Sequence, residues 1–211
     1  MALVIALTGG IGSGKTSVAN LLAEFGAAIV DTDEIAHALT AAGQPGAVQI
    51  GAEFGAQYLD AAGALDRARM RELVFSDAAA KQKLEAVLHP MIRAEVQARV
   101  KNFAASPRAE VPYIVIVVPL LIETGAYRDL AQRILVVDSP ERQQVERVQH
   151  RSNLAPAAVE AIMANQVTRE QRLSHADDVV RNDGDLQALH EAVADLHQKY
   201  LDLAGKPLRT R

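Results

Sequence analysis

The stretch Leu3-Val4-Ile5-Ala6-Leu7-Thr8-Gly9-Gly10-Ile11-Gly12-Ser13-Gly14-Lys15-Thr16 decides the fold. Leu3 to Leu7 is an unbroken apolar run, the mark of a strand buried on both faces of a parallel sheet. Gly9 to Thr16 satisfies the pattern G-x-x-x-x-G-K-[ST] at every fixed position. Lys15 to Phe25 then reads as a helix with Val18, Leu21, Leu22 and Phe25 on one side. Strand, glycine loop and helix in that order make a phosphate-binding loop. Glycines let the backbone curl until its N–H groups point inward at phosphate oxygens, and the helix adds the positive end of its dipole. The Lys15 ammonium reaches β- and γ-phosphates, and the Thr16 hydroxyl suits a magnesium ion. Gly10, Gly12, Ser13, Gly14, Lys15, Thr16 and Ser17 are therefore the candidate nucleotide-binding residues, with ATP and Mg2+ as the expected ligands.

Outward from this unit, Ala27 to Val30 is a second apolar strand that ends in Asp31-Thr32-Asp33. Strand, helix and strand alternate as in a parallel βαβ unit. Residues 43–63 are glycine-rich with little periodicity, and Asp66 to Phe103 reads as helical and arginine-rich. Asp66 suits the N-cap of a helix that buries Met70, Leu73 and Val74. Pro90 suits the first turn of a further helix with Ile92, Val96, Val100 and Phe103 on one face. Buried strands follow at Tyr113 to Val118 and Ile134 to Val137, then a helix starting near Pro140 and a short fifth strand at Val179-Val180. Leu186, Leu189, Val193, Leu196, Tyr200 and Leu203 repeat at three and four, a helix packed on the sheet rather than a coiled coil, for which the seam is too short. The expected architecture is one α/β domain over 1–205, a three-layer phosphate-loop kinase core with a five-stranded parallel sheet. Residues 1–42 and 112–205 form the core, about 43–111 a helical substrate insert, about 140–172 a lid, and 206–211 a frayed tail.

Composition narrows the class. The chain has 211 residues, 49% hydrophobic and 23% charged, as a globular domain does. A formal net charge of −4 provides no global basic field for nucleic acid, so any charge that binds phosphate is local. The absence of cysteine excludes disulfides, thiolate zinc sites and a cysteine nucleophile, and suits a reducing cytoplasm. Met1 to Leu7 has no basic leader and runs straight into the glycine loop, so it reads as a strand and not as a secretion signal. No apolar run approaches the roughly 20 residues that span a bilayer. A cytoplasmic protein with a small-molecule partner is expected, and neither nucleic acid nor membrane; the sequence leaves oligomeric state unspecified.

A phosphate loop serves kinases, GTPases and motor-like ATPases alike. The Asn-Lys-x-Asp motif for guanine is absent, and Asp60-Ala61-Ala62-Gly63, a D-x-x-G match, follows no apolar strand and reads as a turn. Leu135-Val136-Val137-Asp138 resembles a Walker B strand. Asp138 can instead cap the helix starting at Pro140, the favoured reading. Arg147 and Arg151 are four apart and Arg169 and Arg172 three apart, so each pair projects from one helical face. Paired with Glu146 or Glu170 these arginines are ordinary surface; in a phosphate-loop protein, two such pairs favour a lid that neutralises transferring phosphate. Asp31 and Asp33 follow the second strand, where the carboxyl ends of parallel strands place ligands. Asp31-x-x-Glu34 has the pattern of a capping box, which leaves Asp33 as the better acceptor for a hydroxyl proton.

Five segments carry a resemblance: Leu7 to Lys15, Asp31-Thr32-Asp33-Glu34-Ile35-Ala36, His89-Pro90-Met91-Ile92-Arg93, Pro119-Leu120-Leu121-Ile122-Glu123 and Ala176-Asp177-Asp178-Val179-Val180-Arg181-Asn182. In this order and spacing, the chain resembles the dephospho-coenzyme A kinase family over nearly its whole length. The resemblance implies ATP-dependent phosphorylation of the 3′-hydroxyl of dephospho-coenzyme A, the last step of coenzyme A synthesis. It implies that Asp33 deprotonates or orients that hydroxyl beside Lys15 and Arg147. It also implies that the insert holds pantetheine and adenosine, with Arg67, His89 and Arg93 as contacts. Arg147 and Arg151 fall in the lid, and Asn182 lies beside adenine. One departure is Val117, where many members have Asp, so a metal-side carboxylate on this strand does not carry over. A kinase for a nucleoside or nucleotide and a nucleotide-switched binding module are the competing readings.

Overall fold

In the computed structural model, β1 (Leu3–Gly9) is buried at every residue, as its apolar run requires. It pairs in parallel with β3 (Tyr113–Val117) on one side and β4 (Arg133–Asp138) on the other. β5 (Asp178–Arg181) pairs in parallel with β4, and β2 (Ala28–Asp31) lies beyond β3, giving the order β2-β3-β1-β4-β5. The five strands form an all-parallel α/β sheet. Gly9 is registered against Val137, which brings Asp138 and Ser139 level with the start of the glycine loop. The structure describes residues 2–107, 110–152 and 154–205, so the tail at 206–211 lies outside the described residues.

The chain divides into two compact units, residues 1–30 with 102–211, and residues 31–101. In the first, α1 (Lys15–Glu24) and α10 (Leu186–Ala204) pack on one face of the sheet. Val18 and Leu22 of α1 and Leu189, Val193 and Tyr200 of α10 meet Leu3, Ile5 and Leu7 of β1 in one core. Val4 and Ala6 alternate onto the opposite face and are buried there too. Each buried Val, Leu or Ile contributes about 1.5–3 kcal/mol, so packing rather than helix propensity holds α1 in place. Leu186 departs from the expected seam: it is 81% exposed at the first position of α10, and Leu189 is the first residue of that helix to be buried.

The second unit comprises α2 (Thr32–Leu39), α3 (Pro45–Phe54), a 3-10 turn at Ala56–Tyr58, α4 (Arg67–Ser76) and most of α5 (Ala78–Ala105). Its core is Ile50, Met70 and Val87, with Leu73 and Val74 packed against them. Asp66 accepts from the Ala68 and Arg69 amides and starts α4, the role expected of it. The glycine-rich stretch nevertheless contains a helix, α3, begun by Pro45 at its first position and fixed by buried Ile50. Pro90 does not open a helix; it lies inside the 28-residue α5. Its ring deprives the Ala86 carbonyl of a donor, but Ala86, His89 and Pro90 are all exposed, so water meets that carbonyl and the helix runs on.

A buried carboxylate fastens the outer edge of the sheet. Asp178 at the start of β5 has a side chain only 2% exposed. It accepts from Arg133 Nε at 2.7 Å and Nη2 at 3.1 Å, from Tyr200 Oη at 3.2 Å, and from Lys199. Burial alone would raise the carboxyl pKa, but the hydrogen bonds from Arg133 and Lys199 outweigh it and hold the group below the ordinary carboxylate range. Asp178→Ala is expected to destabilise the protein by about 3 kcal/mol, the low end for removing one partner of a buried pair, because Arg133 and Lys199 can still reach water. A depressed folded pKa contributes stability above the unfolded value, about 3.9, and loses it as pH falls through the folded value. The melting-temperature gap between wild type and Asp178→Asn should therefore be constant near neutral pH and close below about pH 4. A gap that persists in acid would mean the carboxylate charge is not what holds β5.

Candidate active site

β1 ends at Gly9, and Gly10–Gly14 turn the chain into α1. Gly12 and Gly14 hold positive φ, 72° and 97°, open to glycine without strain. Close approach imposes a second restriction. A β-carbon on Gly12 would overlap the Gln144 carbonyl oxygen, and one on Gly14 would overlap the Asn182 side-chain amide. α1 has no side-chain cap and no acid in its first turn, so its leading N–H groups are left for an external acceptor. Ser13 is fully buried, and its Oγ is the one buried side-chain polar atom without a partner among the described residues. Lys15 folds back over the loop, donating to the Gly9 carbonyl at 2.8 Å and the Gly10 carbonyl at 3.0 Å. Thr16 and Ser17 are exposed at the start of α1. The donors and the glycine cradle fit polyphosphate. For a magnesium ion, the Thr16 hydroxyl is the available protein ligand; among the described residues no cluster of three acids or histidines could hold a metal.

Polar struts fix this loop to its neighbours. Asn182 Nδ2 donates to the Ser13 carbonyl at 2.8 Å, and its own amide donates to the Asp138 carbonyl at 2.8 Å. Arg147, on α7 (Glu141–Ser152), donates to Ser139 Oγ at 3.1 Å, the Asn182 carbonyl at 2.9 Å and Gln143 Oε1 at 3.2 Å. Arg151 is exposed, a turn further on. The first arginine pair thus divides: Arg147 braces the loop after β5, and Arg151 faces solvent. Glu146 does not pair with either; its partner is Arg142 at 2.9 Å.

The second pair divides as well. α8 (Pro156–Ala164) and α9 (Arg169–Ser174) follow α7, and Thr168 and Gln171 start α9 with a reciprocal capping box. Arg169 forks onto Asp138, Nε to Oδ1 and Nη2 to Oδ2, both at 2.7 Å. The hydrogen bonds from Arg169 hold the Asp138 carboxyl below its usual range against the opposing effect of burial. Asp138 therefore pairs with Arg169 through both oxygens instead of capping α7, which starts at Glu141. Arg172 is 7% exposed, close to Gly10, and Gln166 Oε1 accepts the Ile11 amide at 3.1 Å. Glu123, on α6 (Leu121–Thr124), accepts the Val167 amide at 3.0 Å. A cavity of about 680 Å³ lies among α7, α8 and α9, lined in part by Gln144, Met163, Gln166 and Arg172. Gln144, Gln166 and Glu123 carry no composition or spacing signal that would single them out; only Glu123 lies in a segment quoted for its resemblance.

The remaining candidates lie in the second unit. Asp31 Oδ1 accepts the Asp33 amide at 2.8 Å and the Glu34 amide at 3.4 Å, so Asp31 caps α2 and the exposed Asp33 carboxylate does not. Arg67 opens α4 and donates to Thr40 Oγ1 at 2.8 Å. His89 and Arg93 are one turn apart on α5, exposed and half-buried. Val117, by contrast, belongs to the first unit and is buried at the end of β3.

Comparison with known proteins matches residues 3–188 to a family model described as dephospho-CoA kinase. The dephospho-CoA kinase of Nitrosospira multiformis is 53% identical over 202 residues, 96% of this chain and 98% of that one. Among solved structures, TT1252 from Thermus thermophilus superposes with a TM-score of 0.74 at 30% identity, covering 94% of this chain and 97% of that chain. Dephospho-CoA kinase from Campylobacter jejuni superposes with a TM-score of 0.70 over the same shares; at 24% identity it speaks for the fold.

The loop geometry makes one substitution decisive. Gly12→Ala places a methyl group at positive φ and against the Gln144 backbone, a strain of about 1–3 kcal/mol. The variant should melt lower and lose most ATP affinity, measured by calorimetric titration beside a thermal melt. Unchanged ATP affinity in a folded variant would remove the loop from the binding site.

Proposed function

The chain belongs to the dephospho-CoA kinase family, and on that premise we propose that it transfers the γ-phosphoryl group of ATP to the 3′-hydroxyl of dephospho-coenzyme A. The products are ADP and coenzyme A, and the reaction is the last step of coenzyme A synthesis. The observation that carries the reading is a complete, uncapped phosphate loop inside a family match that spans residues 3–188. The acceptor is a small molecule, and neither nucleic acid nor membrane is a partner. No helix among the described residues is long and apolar enough to cross a membrane, and we place the enzyme in the cytoplasm.

Gly10, Gly12, Ser13, Gly14, Thr16 and Ser17 wrap the β-phosphate with backbone N–H groups; the Thr16 hydroxyl would hold magnesium, which would supply charge neutralisation at the phosphate oxygens. Lys15 turns from the Gly9 and Gly10 carbonyls, which it holds at 2.8 and 3.0 Å, to the β- and γ-oxygens. Asn182 and Arg151 flank the adenine, and Arg147 keeps the loop after β5 in register with Ser139. In the second unit, Arg67, His89 and Arg93 hold the dephospho-coenzyme A. Asp33 accepts the 3′-hydroxyl proton as the new O–P bond forms and the bond from the γ-phosphorus to the β–γ bridging oxygen breaks, with both electrons leaving on ADP. A loose transition state asks for alignment and charge neutralisation more than for covalent work.

Two outcomes test this reading. In an ADP-release assay across acceptors, dephospho-coenzyme A should exceed adenosine and AMP in kcat/KM, since remote pantetheine contacts can be used to orient the reacting hydroxyl. Lys15→Ala should stay folded and lose most turnover. A nucleoside that matches dephospho-coenzyme A, or ADP release that needs no acceptor, would overturn the assignment.

Asp33→Asn separates chemistry from folding. With Asp31 as the α2 cap, the substitution should leave the melting temperature unchanged. It should lower kcat by about 10²-fold, the low end for general-base assistance, because a dissociative transition state delays proton transfer. A loss below about threefold, with ATP affinity intact, would remove Asp33 from the chemistry.

A further inference from the structure

The peptide that joins Gly10 to Ile11 is held at both ends. Its carbonyl accepts from Lys15 Nζ at 3.0 Å and from the Ser13 amide at 3.2 Å. Its N–H, that of Ile11, donates to Gln166 Oε1 at 3.1 Å, in the link between α8 and α9. Both holds on the carbonyl come from groups that the phosphate loop turns toward ATP: the lysine reaches β- and γ-oxygens, and the Ser13 amide wraps the β-phosphate. Gln166 is the hold that ATP does not claim.

The peptide needs such a hold. β1 ends at Gly9, so strand pairing does not steady the peptide beyond it. A β-carbon on Gly10 would overlap Gln144 Oε1, which restricts the position to glycine, and a glycine leaves rotation on that side of the peptide soft. On the other side, a full flip would carry the β-branched Ile11 toward positive φ, which such residues avoid. A released peptide therefore tilts rather than flips, and it takes with it the carbonyl against which Lys15 rests. The strut is itself anchored at its base. The Gln166 amide donates to the Met163 carbonyl at 2.9 Å, and the next amide, that of Val167, donates to Glu123 Oε1 at 3.0 Å. A side-chain amide also suits the place chemically, because its oxygen meets the N–H without adding negative charge beside phosphate. We propose that Gln166 is a positioning residue for phosphoryl transfer, holding the Gly10–Ile11 peptide in line when ATP draws Lys15 and the Ser13 amide off its carbonyl. It touches no reacting atom; it acts through the peptide on Lys15, at the γ end of the nucleotide.

The inference rests on the kinase reading, and wild-type turnover of dephospho-coenzyme A separates the two. An inactive wild type ends both; an active wild type matched by Gln166→Leu ends only the inference. Gln166→Leu keeps the bulk of the side chain and removes the acceptor. It should lower kcat about five- to tenfold, the scale of one lost hydrogen bond, with ATP affinity by calorimetric titration within about twofold of wild type. A strut that served only to fasten α8 and α9 would instead lower the melting temperature and leave kcat intact in the folded variant. Gln166→Glu keeps the acceptor but adds a charge that opposes phosphate, so kcat at saturating ATP should return to within about twofold of wild type while KM for ATP rises. Exchange of the Ile11 amide, read by NMR, follows the peptide directly. In the wild type this amide should stay protected when a non-hydrolysable ATP analogue binds, and in Gln166→Leu with the analogue it should exchange about tenfold faster. The proposal is overturned if Gln166→Leu keeps kcat within about twofold, if its loss lies in ATP affinity, if Gln166→Glu restores nothing, or if the analogue releases the Ile11 amide in the wild type. The last of these measurements needs no variant, so it decides the matter even should Gln166→Leu not fold.

Discussion

The N–H groups at the start of α1 have no side-chain acceptor, and the surrounding core keeps them that way. A helix start normally satisfies these donors with Ser, Thr, Asp or Asn, which adds about 1 kcal/mol of stability. Here Gly14 stands at the cap position, and both neighbours that crowd the glycines approach with groups turned to other partners. The Asn182 amide is committed to the Ser13 carbonyl, and the Gln144 amide Nε2 donates to the Ser139 carbonyl at 2.7 Å. The local capping stability is forgone, and the apolar packing of Val18 and Leu22 against β1 makes good the loss. The helix is held by its far face so that its near end can remain unsatisfied.

The same logic sorts the arginines. A chain of net charge −4 must concentrate positive charge where phosphate sits, yet Arg147 and Arg169 are already engaged in place. Arg169 is matched by Asp138, and Arg147 is bound to a hydroxyl, a carbonyl and an amide oxygen. Their work is geometric: they tie the ends of β4 and β5 to the helices above. Lys15 and Arg172 donate to backbone carbonyls, which are weaker acceptors than carboxylates.

The sheet was legible because parallel strands buried on both faces leave continuous apolar runs, as β1, β3 and β4 do, while the edge strands β2 and β5, buried at alternate residues, leave shorter ones. The phosphate loop was legible because its chemistry demands glycines and a lysine at fixed offsets. The second unit was less so. Pro90 signals a helix start by its own preference, and only the exposure of its neighbours reveals that water can replace the lost bond. α3 is hidden by Gly46 and Gly51, which weaken every local indicator of a helix. Asp138 was misread for a related reason. Its local sequence offers a cap for α7 or a Walker-type carboxylate, while its actual partner, Arg169, is 31 residues away on another helix. Spacing shows which side chains share a helical face; it does not show which of them meets a carboxylate across the fold.

That distinction matters most above the loop. α1 and α10 bury rows of apolar side chains, whereas α7 buries only Gln144 and Val148, α8 only Val159 and α9 only Arg172. Lifting α7–α9 from the core therefore exposes little apolar surface and breaks mainly polar contacts, such as Gln166 to Ile11, Arg169 to Asp138 and Glu123 to Val167. Water can replace each of these, a neutral hydrogen bond contributing about 0.5–1.5 kcal/mol and one to a charged group about 1.5–3 kcal/mol. Segments so held occupy the low end of a protein's local stability, where opening is easiest. The sheet and its two core helices thus form a floor packed through apolar side chains, and the arginine-bearing helices are fastened to it mainly by polar contacts.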